Sequence, residues 1–316
     1  MVNKLAGIKI LNLLSWILVF VSLAYALVEG LTLGNNIDLV VLICMIFAGW
    51  AFSIINGIIR YGWKDMLIFF LISAVISNFY ENLSIATGFP FGFYHYSDLF
   101  GPKFIEAPYF LAIGYIFVVY VGWQTAHIVL QKFTNKLSGY DVLLIPILTS
   151  LFAVMTDLSF DPFFSTVQGR YIWHTGGAYY GVPFVNYLGW YLCIYTIAQV
   201  YSIYMWHKNK KNSIVNPPEL SSRSFWLQSI LASFIWPIML ILKGFTVDQN
   251  ATAKSLDGIT WNVSYLLQTG GLISIGTILS VGILAIIIIA STETDMKNKF
   301  RLSGSQKAVG DINIHI

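Results

Sequence analysis

Eight apolar runs, each about twenty residues long, dominate this chain, and about twenty helical residues are what a ~30 Å hydrocarbon core requires of one span. They lie near 8–29, 38–59, 65–87, 107–130, 141–161, 184–206, 226–243 and 269–290. In lipid an unpaired backbone N–H or C=O is so costly that spanning elements must be helices or closed barrels. The runs here are unbroken and lack the two-residue alternation of barrel strands. The sequence therefore predicts an all-α, polytopic transmembrane helix bundle of about eight spans. Composition points the same way: 57% of the 316 residues are hydrophobic and only 10% are charged, too few charges to solvate a water-soluble globule of this size.

Charge placement predicts orientation. With the N-terminus inside, the inner segments hold Lys4, Lys9, Arg60, Lys64, Lys132, Lys136, Lys208, Lys210, Lys211, Arg223, Lys297, Lys299, Arg301 and Lys307, and the outer ones only Lys103, Arg170, Lys243 and Lys254. Such a bias predicts a multi-pass cell-membrane protein with both termini cytoplasmic, N-in and C-in. One transmembrane domain is expected over 1–290, with a cytoplasmic linker at 207–225 and a polar, disordered tail at 291–316. The first run lacks a small-residue cleavage site and reads as a retained helix. Lys208, Lys210 and Lys211 read as a topology anchor, so membrane lipid is the expected partner and nucleic acid is not. Cys44 and Cys193 fall inside apolar runs and behave as small hydrophobes.

The expected outer loops at 87–108 and 161–190 are long and aromatic. Tyrosine and tryptophan gather at membrane interfaces in any case, but here glycine and proline punctuate the rings, as in tightly turned loops packed over a bundle. Beneath them lie ionisable residues. Glu81 and Asn82 sit about six residues before the outer end of the third span, or roughly 9 Å deep. Asp157 and Asp161 close the fifth span at i, i+4 spacing on one helical face, and Pro162 is expected to end that helix. Carboxyls within a membrane are functional candidates by default, and these three, from two separate spans, share one depth. Sharing an apolar pocket, they cannot all ionise, so one is expected to serve as a resident acid. Ring faces around it would stabilise a passing cation without trapping it, a combination suited to protonating an alkene. His95 and His174 lie in the same loops. With Asp157 and Asp161 they would make a metal site, but no HxxxH or HxxE spacing supports one, and none is predicted.

The strings GFPFGFYHY (88–96), DLSFDP (157–162) and GGAYYGVPFVNYLGW (176–190), preceded by Glu81, resemble the carotenoid biosynthesis membrane proteins that include hydratases of the bisanhydrobacterioruberin and γ-carotene/lycopene type. The resemblance covers about 65–206. It implies addition of water to the terminal double bond of an acyclic carotenoid end, without a cofactor. Glu81, Asp157 and Asp161 match the family's acidic positions, and Asn186 and Trp190 its NxxGW element. YIWH (171–174) and FIEAP (104–108) depart from the pattern, where a second tryptophan and a more apolar, proline-rich stretch are expected. On this reading Asp157 and Asp161 supply the acid and hold the water, in an order left open. Glu81 orients the pair, and Asn186 or a tyrosine assists. Trp173, Tyr179 and Tyr180 form the cation-facing wall, and Asn82, Tyr94, His174 and Trp190 complete the substrate-binding set. Expected partners are the hydrophobic carotenoid itself and other enzymes of its pathway.

Three other classes are weighed against this. A metal-free end-group cyclase shares the protonation step. A Mg²⁺-dependent prenyltransferase could use the two aspartates but needs cations for a diphosphate, and only Arg170 and Lys103 lie near. A transporter would be expected to place such carboxyls near the midplane, within repeats.

Overall fold

The computed structural model describes residues 2–34, 39–211 and 216–292; the expected tail lies outside these from residue 293 onward. Helices form where the apolar runs predict them: α1 (Val2–Leu31), α2 (Leu39–Tyr61), α3 (Trp63–Thr87), α4 (Leu111–Val129), α5 (Asp141–Pro162) and α6 (Phe184–Lys211). The seventh span, Arg223–Thr246, is built from α7 (Arg223–Ser233) and α8 (Ile235–Thr246). The eighth, Val263–Ser291, is α9 (Val263–Ser274) and α10 (Ser280–Ser291) joined by a π-helical turn. Seven of the eight are long and apolar enough to cross a membrane. The exception, α6, has 28 residues and so the length to span, but polar and aromatic side chains dilute its hydropathy. It packs between α5 and α3 and buries Asn186, Tyr187 and Tyr201 there.

The axial helix is α4, which contacts α2, α3, α5, α7 and α10 and is buried almost continuously from Tyr115 to Ile128. Because lipid is as apolar as leucine, such helices are held by close packing and by polar groups that bond across the bundle. Asn56 is one hub. Its amide donates to Gln228 at 2.7 Å, while Tyr120 (2.5 Å) and Gln124 (3.0 Å) donate to its carbonyl, and Gln228 reaches Asn12 at 2.8 Å. These bonds tie α2 to α4, α7 and α1. Arg60, counted in the sequence among the charges that set orientation, is instead 2% exposed. It donates to Gln124 and to Asn135 and lies over the rings of Tyr61 and Trp226.

Helix α5 contains Pro146 and Pro162, each of which removes the N–H that would bond the carbonyl four residues back. Both orphaned acceptors find donors from elsewhere. Gln199 (3.1 Å) and Ser202 (3.0 Å) of α6 donate to Val142, and the Tyr179 hydroxyl donates to Leu158 at 2.9 Å. This corrects the expectation that Pro162 stops the helix: it stays helical (φ −57°, ψ −33°), and a π turn, Phe163–Val167, carries the chain one turn further.

Short strands join the loops at one end of the bundle. β1 (Tyr94–Tyr96) pairs antiparallel with β4 (Tyr171–Trp173), β2 (Lys103–Phe104) with β3 (Ala107–Pro108), and β5 (Thr252–Lys254) with β6 (Thr260–Asn262).

Lys243, assigned to an outer loop by the charge count, is fully buried in α8 and pairs with Glu29 of α1 at 3.1 Å, also donating to the Thr32 carbonyl. Removing one partner of a buried pair leaves an uncompensated charge at a cost of about 3–5 kcal/mol. Lys243→Ala is therefore expected to lower the thermal unfolding midpoint in detergent sharply. The pairing is refuted if the double variant Glu29→Gln/Lys243→Met unfolds no later than Lys243→Ala alone.

Candidate active site

The α3–α4 and α5–α6 loops meet through β1 and β4, in the register Tyr94↔Trp173, His95↔Ile172 and Tyr96↔Tyr171. Side chains alternate across a strand, so Tyr94, Tyr96, Tyr171 and Trp173 all face the bundle, and His95 and His174 face outward. The inward rings pack on one another, Tyr94 and Trp173 tilted with centroids 4.8 Å apart and Tyr96 and Tyr171 edge to face at 5.8 Å. Gly189 of α6 permits the loop's approach from the other side, since a Cβ there would lie 2.7 Å from the Pro90 carbonyl oxygen.

Below these rings the three carboxyls are each 4% exposed or less. Glu81 accepts from three tyrosines: Tyr94 and Tyr96 (2.8 Å) on Oε2 and Tyr115 (2.6 Å) on Oε1. Asp161 accepts from Tyr171 on Oδ1 and from the Asn186 amide on Oδ2 at 2.6 Å. The same amide nitrogen donates to Asp157 Oδ2 at 3.0 Å, while Asp157 Oδ1 is buried and finds no partner among the described residues. Burial first, and then the Glu81 carboxyl, push the Tyr94 and Tyr96 hydroxyls well above the usual tyrosine range. Burial, followed by Asp161 and Asp157, does the same for Tyr171. All three therefore remain donors at any physiological pH.

Glu81 and Asp161 open on one cavity with about 1050 Å³ of space between atoms, part of it open to the surroundings. The rest of its lining is nearly all apolar or aromatic and, among the described residues, includes no lysine or arginine. Phe160, Phe164 and Trp236 form a mutually packed trio beside Asp161, with centroids 5.4–5.8 Å apart. Trp190 stacks on Tyr115 at 5.0 Å. Half-buried Ile46, Leu111, Gly114 and Trp236, from α2, α4 and α8, line another side.

Of the residues singled out in the sequence, Glu81, Tyr94, Asp161, Trp173, Asn186 and Trp190 line this cavity. Asp157 does not; it stands behind Asp161, joined through Asn186. Four others are placed elsewhere. Asn82 accepts from the backbone N–H of Glu106 (2.8 Å) and Ala107 (3.3 Å), fixing the β2–β3 turn. His174 is exposed, its Nε2 2.8 Å from His95 Nδ1. Partial burial and then His174 lower the His95 pKa, which favours the neutral form of that ring. Tyr179 caps the Leu158 carbonyl. Tyr180, at φ +52°, reaches Thr269 at 2.7 Å and packs on Trp261. In place of Tyr179 and Tyr180, the rings at the cavity are those of Phe160, Phe164 and Trp236. The sequence reading also passed over Tyr96, Tyr115 and Tyr171, although the inward alternation of YHY and YIW carried a signal for two of them.

The fold and cavity together define a polytopic membrane protein built around an apolar chamber with buried carboxyls in its wall. More particularly, the chain belongs to the carotenoid biosynthesis protein family, whose sequence model matches residues 38–253. The match is wider than the motif core at 65–206 and takes in α2, α7 and α8, two of which supply cavity wall. No curated protein and no solved structure matches the chain. Membership gives the protein a role in carotenoid biosynthesis.

If Tyr179 serves the carbonyl freed by Pro162, Tyr179→Phe should cost about 1 kcal/mol, the net worth of an ordinary hydrogen bond. In a Pro162→Ala background, residue 162 regains its own N–H and the cost should shrink. Equal costs in both backgrounds, measured by thermal unfolding in detergent, would remove Tyr179 from that role.

Proposed function

We propose that the protein is a carotenoid hydratase, a cofactor-independent hydro-lyase that adds water to the terminal double bond of an acyclic carotenoid end. The observation that carries this reading is the position of Asp161. It is a carboxyl held by Tyr171 and Asn186, facing an apolar, ring-lined cavity without a cationic side chain. A diphosphate-bearing substrate would require cations that the lining does not offer, whereas a neutral polyene requires none.

The polyene enters sideways from the bilayer past the half-buried wall of α2, α4 and α8 and seats its end against Phe160, Phe164 and Trp236. The Asp157–Asp161 pair holds one proton, and Asp161, which faces the cavity, delivers it to the less substituted alkene carbon. A C–H bond forms, the π bond breaks, and a tertiary carbocation remains under the ring faces. Water then forms the C–O bond and returns a proton to the carboxylate, so the acid is regenerated and no electrons change hands. Asn186 bridges the two aspartates and sets their separation. Glu81, satisfied by three tyrosines, holds the roof in register over them. The aromatic loops face the outer side of the cell membrane in this reading.

Expressed in a host that accumulates an acyclic carotenoid, the protein should convert it to a product one water heavier, read by pigment mass spectrometry. A product of unchanged mass but altered spectrum would indicate ring closure instead. Asp161→Asn should lower the rate by about 10²–10⁴-fold, the range for a general acid, with a smaller loss in Asp157→Asn. Hydration at the wild-type rate by Asp161→Asn would end the assignment.

A further inference from the structure

A second cavity lies on the far side of β4. It has about 900 Å³ of atom-free space and a different chemistry. Its wall carries the hydroxyl residues Ser165 and Thr166 of the π turn and Ser255 of the β5–β6 turn, with Lys254 and several glycines. Gly181, at φ +87°, lets the walls of this space close up on one another: a Cβ there would fall 2.8 Å from both Ser255 Cβ and Thr166 Oγ1. The partition from the carboxyl cavity is a single strand, and Tyr171 and Trp173 line both chambers. The Tyr171 hydroxyl is bonded to Asp161. Trp173 Nε1 is a buried donor that finds no partner among the described residues, the kind of group that ordered water satisfies.

Resting on the hydratase reading, we propose that this polar chamber is the binding port for the second substrate, water. Each turnover consumes one water, and the carboxyl cavity is apolar with its half-buried side toward lipid, a poor source. The polar chamber sits among the loops, where water is plentiful. Water enters under the β5–β6 turn, bonds at the Trp173 Nε1, and passes the edge of Tyr171 to the carbocation beside Asp161. The two substrates thus arrive from opposite sides of β4, and the apolar cavity is hydrated one molecule at a time.

Leu256 lies in the chamber wall and is 60% exposed, so Leu256→Cys can be plugged with a bulky maleimide. Labelling should cut the hydration rate of that variant by more than about tenfold relative to the same variant unlabelled, while carotenoid binding, read by absorbance, persists. Wild type, with Cys44 and Cys193 as its cysteines, should keep its rate through the same treatment. An unchanged rate in the labelled variant overturns the port. Hydroxyl-radical footprinting in water supplies a readout independent of turnover: Trp173 should be oxidised in wild type and protected by the label. A Trp173 that is never oxidised also overturns the port, whereas an oxidised Trp173 in a protein that hydrates no carotenoid upholds the wet chamber and sinks the hydratase reading.

Discussion

Everything at this site depends on how three carboxyls are kept inside an apolar bundle. An unpartnered carboxylate in such surroundings is prohibitively costly, so each must be met by donors or keep its proton. The chain meets Glu81 with Tyr94, Tyr96 and Tyr115, and Asp161 with Tyr171 and Asn186. None of these five donors stands on the helix that bears its acid: β1 and α4 converge on α3, and β4 and α6 on α5. The donors are consequently the means by which the loops are located. Tyr94 and Tyr96 fix β1 over α3, Tyr171 fixes β4 over α5, and the pairing of β1 with β4 joins the two halves into one roof.

The same logic governs the backbone. Pro162 beside Asp161 and Pro146 deeper in α5 each free a carbonyl that lipid would leave unsatisfied. Because Gln199, Ser202 and Tyr179 serve those carbonyls, α5 passes both prolines without stopping. It then widens into the π turn that positions Phe164 toward the apolar cavity and Thr166 toward the polar one. Single π turns are often found at functional sites. Here the turn lies between the two chambers, with Phe164 lining one and Ser165 and Thr166 the other.

The spans were legible in the sequence because run length maps directly onto bilayer thickness. Glu81, Asp157 and Asp161 were equally visible, since ionisable residues stand out within apolar runs. The donors were not. With 18 tyrosines in the chain and an interfacial belt to explain them, choosing Tyr96, Tyr115 and Tyr171 required knowing that two loops 75 residues apart in sequence (Tyr96 to Tyr171) form adjacent strands. Tyr179 and Tyr180 illustrate the same difficulty in reverse: their place in YYGVP was plain, but their direction was set by a freed carbonyl and by Thr269. Charge counting treated Arg60 and Lys243 as solvent-facing, and only packing reveals them as buried ties. The β5–β6 hairpin did carry a local signal in Asp257–Gly258, a dipeptide typical of tight hairpins, hidden within a segment otherwise read as loop.

The division between a dry chamber and a wet one follows from a conflict within the proposed chemistry itself. Ring faces stabilise a carbocation best where the dielectric is low and no stray nucleophile competes, yet hydration must end in capture by water. A single mixed cavity would weaken the first requirement to satisfy the second. A partition one strand thick resolves the conflict, because the residues that line both sides can be a hydroxyl bonded to the acid and an indole whose N–H is left unfilled. In the proposed reaction Tyr171 and Trp173, on the same strand face, have opposite duties: one secures the proton donor, the other offers water a place to wait. The alternation of β4 puts both on the side of Asp161 and turns Ile172 to the opposite face, where it lines only the polar chamber.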